Sequence, residues 1–392
     1  MKRIYLDYAA TTPLDPRVAK TMRGFESEIY GNPSSVHREG QVARAKIDFA
    51  RTEIARFINA KSQEVVFTSG ATEANNLAIQ GVINHVIRYS KIKPHVITTK
   101  LEHQSVYNLI KDLEKRGVIE ATFVSPDKNG LIDAQEIINA IKDNTVLVSV
   151  IFVSNEIGTI LPIREIGQTL KELKPKTYNL KSVYHIDAVQ AAKFYNCNVE
   201  KLGCDLLTLS AHKLYGPKGI GSLYIKSGLK MQNLMIGGSQ EYGRRPGTQN
   251  TSGIVGFAKA VELLGSLENR QKRSEKIFVL RDLLIKGLSK IQKAELNGPV
   301  GETRVADNVS FTFHNVDQDA LMTALDLAGI AASTGSACVS GSSEPSHVIQ
   351  ALGKVNTGQA STIRFTLGSS TSAMDIKSVI KIVSKIISEL SK

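Results

Sequence analysis

Val146-Leu-Val-Ser-Val-Ile-Phe-Val153 is a run of eight residues, seven of them apolar and most of those β-branched. It is too short for a typical helix and lacks the polar alternation of a half-exposed strand. It therefore reads as a central strand buried on both faces. Similar short β-rich runs lie outward from it at 65–68, 96–99, 121–124, 183–186, 206–209 and 221–225. Helix-like stretches at 74–86, 105–116, 134–141 and 163–173 separate several of them. Such alternation predicts a mostly parallel sheet covered by helices. Beyond about residue 255 the texture changes. A long amphipathic pattern covers 256–291, and strand-like runs at 309–313 and 362–366 alternate with helical patterns at 318–327 and 374–390. The expected architecture is α/β, with a large parallel-sheet domain over 14–257. A smaller α+β domain is expected from 1–13 plus 258–392, although the first dozen residues could pack on either.

The chain has 392 residues, enough for two or three domains. Its 42% apolar and 22% charged content is ordinary for a globular protein. The N-terminal Met1-Lys-Arg-Ile-Tyr-Leu-Asp7 has no apolar secretory segment, and no apolar run nears the ~20 residues that span a bilayer. A cytoplasmic location and no membrane partner are the expectation. Three cysteines, Cys197, Cys204 and Cys338, are an odd set without metal-ligand or C-x-x-C spacing, so no metal site is expected. The +12 net charge is spread along the chain; it suits a solvated surface or an acidic protein partner better than nucleic acid.

Four segments carry candidate chemistry. Ser210-Ala-His-Lys213 follows an apolar strand and leads into Gly216-Pro-Lys-Gly-Ile-Gly221. Ligands of open α/β sheets bind at the carboxyl ends of strands, where the Lys213 amine could condense with a carbonyl. Asp187 ends another strand, with Gln190 three residues on, and could pair with a protonated heteroaromatic nitrogen; a helix cap is the plainer alternative. Phe67-Thr-Ser-Gly-Ala-Thr-Glu-Ala-Asn-Asn76 runs from strand through glycine into helix. Its bare N–H groups suit an anion, and it lacks both nucleotide fingerprints, although a simple turn capped by Thr72 would look the same. Ser333-Thr-Gly-Ser-Ala-Cys338 places a thiol in a small-residue loop that could swing in and out of a site. His103 after the 96–99 strand, and Arg364 with its two-point fork for carboxylates, complete the set.

The order of these segments is more telling than any one of them. Tyr5-Leu-Asp-Tyr-Ala-Ala-Thr-Thr-Pro13, Gly31-Asn-Pro-Ser-Ser35, Asn155-Glu-Ile-Gly158, Asp187-Ala-Val-Gln190, Gly243-Arg-Arg-Pro-Gly-Thr-Gln-Asn250 and Ile363-Arg-Phe365 join the motifs above. Together they resemble the cysteine desulfurases of the NifS/IscS type over nearly the whole chain. Val339, where threonine is common, and a slightly long stretch at 175–181 depart from the pattern.

The resemblance implies the fold of fold type I pyridoxal-phosphate (PLP) enzymes, class V aminotransferase group, working as a homodimer. It implies that Lys213 holds the cofactor, Asp187 pairs with its ring nitrogen, Gln190 reaches the ring hydroxyl and His103 stacks on the ring. Ala71, Thr72, Ser210 and His212 match the phosphate cradle, with Thr248 reaching in from the other subunit. Asn155 and Arg364 match contacts to the L-cysteine carboxylate. Cys338 matches the acceptor of sulfur, which would leave alanine behind and pass to an iron–sulfur scaffold protein and to sulfur carriers for tRNA or cofactor thiolation. Transient contact of Cys338 with an iron–sulfur cluster is part of that expectation. Another PLP enzyme of the same fold, such as an aminotransferase or selenocysteine lyase, and an idle scaffold protein stay open as alternatives.

Overall fold

The computed structural model describes residues 3–173, 182–334, 346–354 and 360–391. Thr145–Ile151, buried at every position, lies inside a seven-stranded sheet. The strands run in the order Val65–Thr68, Gly221–Ile225, Leu206–Ser210, Val183–Asp187, Thr145–Ile151, His95–Thr99, Glu120–Val124. All are parallel except Gly221–Ile225, which pairs antiparallel with both neighbours. One face is covered by Ala71–Tyr89 and Gln104–Lys115, whose Ala78, Ile79, Val106 and Ile110 pack on Val66, Val96 and Leu206. The other face carries the larger core, in which Arg38–Ile58, Ile163–Glu172 and Thr251–Leu264 bury Ile47, Ile54, Ile166 and Phe257.

A second sheet of four strands pairs Asn308–His314 with Ala360–Thr366 at its centre, flanked by Ala294–Leu296 and Ser333–Thr334. Leu267–Leu288, Gln318–Leu327 and Ala373–Leu390 close its core around Phe311, Phe365 and Val379. Val348 and Ile349 of His347–Ala351 join the larger core instead, as do Val261 and Leu264.

The pattern expected as one long helix over 256–291 is two. Gly265 sits at φ 69° and ends Thr251–Leu264; Ser266 then caps Leu267–Leu288 by accepting the Asn269 N–H. Periodicity alone does not register a break of two residues, after which the second helix buries Leu284 and Leu288 in the smaller core while Val261 and Leu264 of the first lie in the larger.

The first dozen residues join both bodies. Ile4–Tyr5 pairs in parallel with Ile330–Ala331. The Ala9 N–H donates to Thr366 Oγ1 at 2.8 Å, and Thr12 then receives the Tyr215 N–H at 2.9 Å while donating to the His212 carbonyl. Among the described residues no helix is long and apolar enough to cross a membrane.

Candidate active site

Five parallel strands end on one side of the sheet, and each hands a functional group to the same place. Thr68 leads to Ser69-Gly70 and the helix Ala71–Tyr89; Thr99 leads to His103; Ile151 leads to Asn155; Asp187 ends its strand; Ser210 leads to Lys213. Parallel strands aim their carboxyl ends alike, so loops far apart in sequence converge. The result is a cavity of about 620 Å³ lined by Ala71, Thr72, His103, Asn155, Asp187, Gln190, Ser210, His212, Lys213 and Arg364. That is the size range of cofactor sites. The crossing is tight: a Cβ on Gly221 would lie 2.7 Å from the Leu209 carbonyl oxygen and 2.8 Å from Gly70, so only glycine lets the antiparallel strand pass under the Gly70 turn.

Lys213 lies in a short turn, Ala211–Lys213, closed by the Leu214 N–H on the Ala211 carbonyl. Its Nζ donates to the carbonyls of Ala9 and Ala10 at 2.5 and 2.7 Å, and Gln190 Nε2 also donates to Ala9 at 3.0 Å. The N-terminal segment therefore walls the site beside the amine. His212 is held neutral, its imidazole pushed down to about 4 by burial and by the neighbouring Lys213 charge. It can donate a hydrogen bond to an anion but adds no charge.

Asp187 caps no helix; its Oδ1 accepts the Val189 N–H at 3.0 Å in a tight turn, and its Oδ2 accepts from Asn75 Nδ2 at 2.8 Å. Nor does Thr72 cap Ala71–Tyr89. The cap position is Gly70, which has no side chain to offer, while the Glu73 carboxylate turns back to Ser69 N–H and to Arg245. The helix thus presents open N–H groups to the cavity, the condition for anion binding.

His103 caps Gln104–Lys115 through Nδ1, which receives the Ser105 N–H at 3.1 Å. Arg364, 2% exposed, donates to the Asn155 carbonyl at 2.9 Å and to Asp7 Oδ1 at 3.1 Å. Its Nε and Asn155 Oδ1 are buried with no protein partner, an arrangement that a polar ligand would complete.

Several groups in or under the site escaped the sequence reading. Glu156 lies in the quoted Asn155-Glu-Ile-Gly158, yet nothing in that string shows that it is enclosed and bonded to Ser346 Oγ. Burial pushes its carboxyl up to about 7, against the Ser346 bond and the Arg364 charge. Glu102, fully enclosed under His103, is pushed up to about 8 by burial although the Ile151 N–H and Thr99 hydroxyl bind it. Asn75, Ser105 and Asp7 were also missed.

Thr248 is not among the residues that line this cavity. It lines, with Glu241 and Arg245, an adjoining space of about 150 Å³ that shares Ser69 and Gly219 with the cavity. Its loop is anchored by the buried Arg51–Glu241 pair at 2.6 and 2.8 Å. Cys338, with all of 335–345, and the 175–181 stretch lie outside the described residues. Cys197 and Cys204 are buried, and burial pushes both thiols up, Cys197 to about 12. Neither offers a thiolate at neutral pH.

An amine, a strand-end carboxylate, a neutral imidazole and an open helix N-terminus around one cavity fit pyridoxal phosphate. Residues 4–379 match the family model for class V aminotransferases. The chain is 42% identical to the cysteine desulfurase IscS of Clostridium botulinum, covering 99% of this chain and 95% of that protein. It is 43% identical to that of Dictyoglomus turgidum, covering 100% and 96%. The chain belongs to the cysteine desulfurase family. Among solved structures, a NifS-like protein superposes with a TM-score of 0.88 at 32% identity, covering 99% of this chain and all of that one. The apo cysteine desulfurase of Thermococcus onnurineus gives 0.85 at 25% identity, covering 99% and 95%. Pyridoxal phosphate is the cofactor of this family, and the donor set of the cavity is the one that it requires.

Proposed function

We propose that the chain desulfurates L-cysteine, giving L-alanine and a persulfide on Cys338. The observation that carries this is the single cavity in which Lys213, Asp187, His103 and Arg364 meet an open helix N-terminus. When bound, pyridoxal phosphate supplies an aldehyde and an electron-withdrawing pyridinium ring. Lys213 would hold the cofactor through its amine, and the same amine is placed to accept the substrate α-proton. Asp187 keeps the ring nitrogen protonated. The Ala71–Thr72 N–H groups, Ser210 and His212 bind the phosphate, and Gln190 the ring hydroxyl. Arg364 and Asn155 grip the substrate carboxylate. The Cys338 thiolate attacks the substrate sulfur; the S–S bond forms, the carbon–sulfur bond breaks with its electron pair left on carbon, and a proton completes alanine.

The same reading takes the working unit as a homodimer in the cytoplasm, with Thr248 completing the phosphate site of the partner. Its support is that Thr248 lines an adjoining space and not its own chain's Lys213 cavity, and that Met235, Ile236 and Tyr242, close to it in sequence, are exposed. The division into 14–257 and 1–13 with 258–392 belongs to it too, supported by the pairing of Ile4–Tyr5 with Ile330–Ala331. The persulfide passes to an iron–sulfur scaffold protein or a sulfur carrier. The test is to incubate the holoenzyme with L-cysteine and a thiol reductant and quantify alanine and sulfide. Equal amounts of both are expected. Pyruvate in place of alanine, or turnover of selenocysteine but not cysteine, would overturn the reading.

A further inference from the structure

Behind the cavity, a chain of hydrogen bonds links the two groups expected to face the cofactor ring. Asn75 is fully buried in Ala71–Tyr89. Its Nδ2 lies 2.8 Å from Asp187 Oδ2 and 2.9 Å from Ser105 Oγ. Ser105 Oγ in turn lies 2.8 Å from His103 Nδ1. We propose that Asn75 is a positioning residue that, through Ser105, holds His103 as the tautomer protonated on Nε2 and locks that choice to the Asp187 carboxylate.

The proton positions follow from donor and acceptor chemistry. A carboxylate only accepts, so Asn75 must turn its NH₂ toward Asp187 rather than its carbonyl. The second N–H of that group then points at Ser105 Oγ. A hydroxyl that receives there sends its one proton elsewhere, and the neighbour is His103 Nδ1. The Ser105 N–H also points at Nδ1, at 3.1 Å. Two donors converge on Nδ1, so the ring proton resides on Nε2, the atom left for the cavity side. A proton on Nδ1 would confront both donors, so the same contacts oppose the imidazolium form.

His37 is a useful contrast. It also caps a helix through Nδ1, receiving the Gly40 N–H at 3.3 Å, but it is exposed and pairs with Glu39. A histidine cap therefore needs neither a buried serine nor a buried asparagine behind it. Burial lowers the His103 pKa most; Asp187 opposes this, and Lys213 and Arg364 add to it. His212 and His347 also face His103, both themselves driven down to about 4, and Glu102 adjoins it as a largely protonated acid.

The proposal rests on the desulfurase reading only for its catalytic meaning; the tautomer can be read directly. Nitrogen-15 spectra of ring-labelled histidine in the holoenzyme, assigned with His103→Gln, should show His103 neutral with Nε2–H from about pH 6 to 8. Ser105→Ala and Asn75→Ala should each let Nδ1–H forms appear and raise the His103 pKa, since a bond favouring the neutral ring is lost. Ser105→Thr keeps the hydroxyl and should keep the tautomer. In cysteine turnover both alanine variants should lower kcat about tenfold, with KM changed less than about threefold and the acid limb of the pH profile moved upward. If Asn75→Ala does not fold, Ser105→Ala decides the matter alone. A wild-type His103 protonated on Nδ1, or alanine variants with an unchanged tautomer and pH profile, would refute the proposal. Loss of desulfurase activity in every protein, with the tautomer pattern intact, would refute only the function.

Discussion

Arg364 and Asp7 meet at 3.1 Å, joining a strand near the end of the chain to a loop near its beginning. Arg364 is spread flat between Asp7 and the Asn155 carbonyl, with Nε left over inside the cavity wall. The planar fork is thus fixed before any substrate arrives. Arg364→Lys keeps the charge but loses the two-point grip. We expect KM for cysteine to rise about 10- to 100-fold, as for loss of one charged hydrogen bond, while cofactor content stays near normal. Steady-state kinetics beside a cofactor titration checks this; unchanged KM would make Arg364 a structural residue.

Lys213→Ala should remove every covalent tie to the cofactor and abolish turnover. Lys218 also lines the cavity, beyond Pro217, so the decisive readout is where borohydride fixes the cofactor in the native enzyme. Peptide mapping should find the label on Lys213. A label on Lys218, or one retained in the variant, refutes the assignment.

Asp187→Asn fills the same space; its one amide oxygen can still accept from the Val189 N–H, while its NH₂ faces Asn75, which can turn its carbonyl to receive it. It cannot hold a ring nitrogen protonated. The cofactor should bind, and kcat should fall about 100-fold or more, the range seen when a charge-stabilising group is removed. Near-normal alanine formation would show that Asp187 is only a turn residue.

How much of this was legible beforehand follows from range. Each strand and the group at its end lie within a few residues of one another, so Lys213, Asp187 and His103 could be placed from local pattern. Contacts made across the chain could not. Arg51 and Glu241 pair across 190 positions and Asn75 and Asp187 across 112; Arg51 sits in no segment with a chemical signature, and Asn75, although inside the 67–76 segment, has nothing local that ties it to Asp187. The helix caps expected of Asp187 and Thr72 were equally plausible locally; three-dimensional packing assigned those positions otherwise. Order of motifs, rather than any single one, carried the reading of function.

Cys338→Ser should leave fold and cofactor content intact but yield no persulfide and little alanine, because a serine hydroxyl is hardly ionised and is a poor nucleophile toward sulfur. With Cys197 and Cys204 buried and their thiols driven up, mass mapping after cysteine addition should find wild-type persulfide on residue 338 alone. Persulfide on either buried cysteine, or full turnover by the serine variant, overturns the assignment.

His185 gives a prediction for acid. It is enclosed between Ser149 Oγ at 2.8 Å and Thr208 Oγ1 at 3.0 Å, and burial pushes it from 6.5 to about 3. The unfolded chain therefore binds a proton that the folded one refuses. The stability that the neutral ring contributes is present above about pH 6.5 and is lost as pH falls toward 3. His185→Gln should lower stability at pH 7, yet flatten its fall in acid by up to about 1.4 kcal/mol per pH unit. Denaturant titrations at pH 7 and 5 measure both; equal acid losses in the two proteins would refute the point.

The N-terminal stretch that walls the amine of Lys213 also sets a clock on assembly. Residues 4–12 are made before all of their partners, which are the turn holding His212 and Tyr215 and, much later, Ile330–Ala331 and Thr366. The large sheet can form while synthesis continues. The wall can be completed only later, because Ala9 is tied to the Thr366 hydroxyl and Ile4–Tyr5 to Ile330–Ala331. A nascent chain would thus carry an assembled sheet and an incompletely walled Lys213 amine until the strand Ala360–Thr366 has been added.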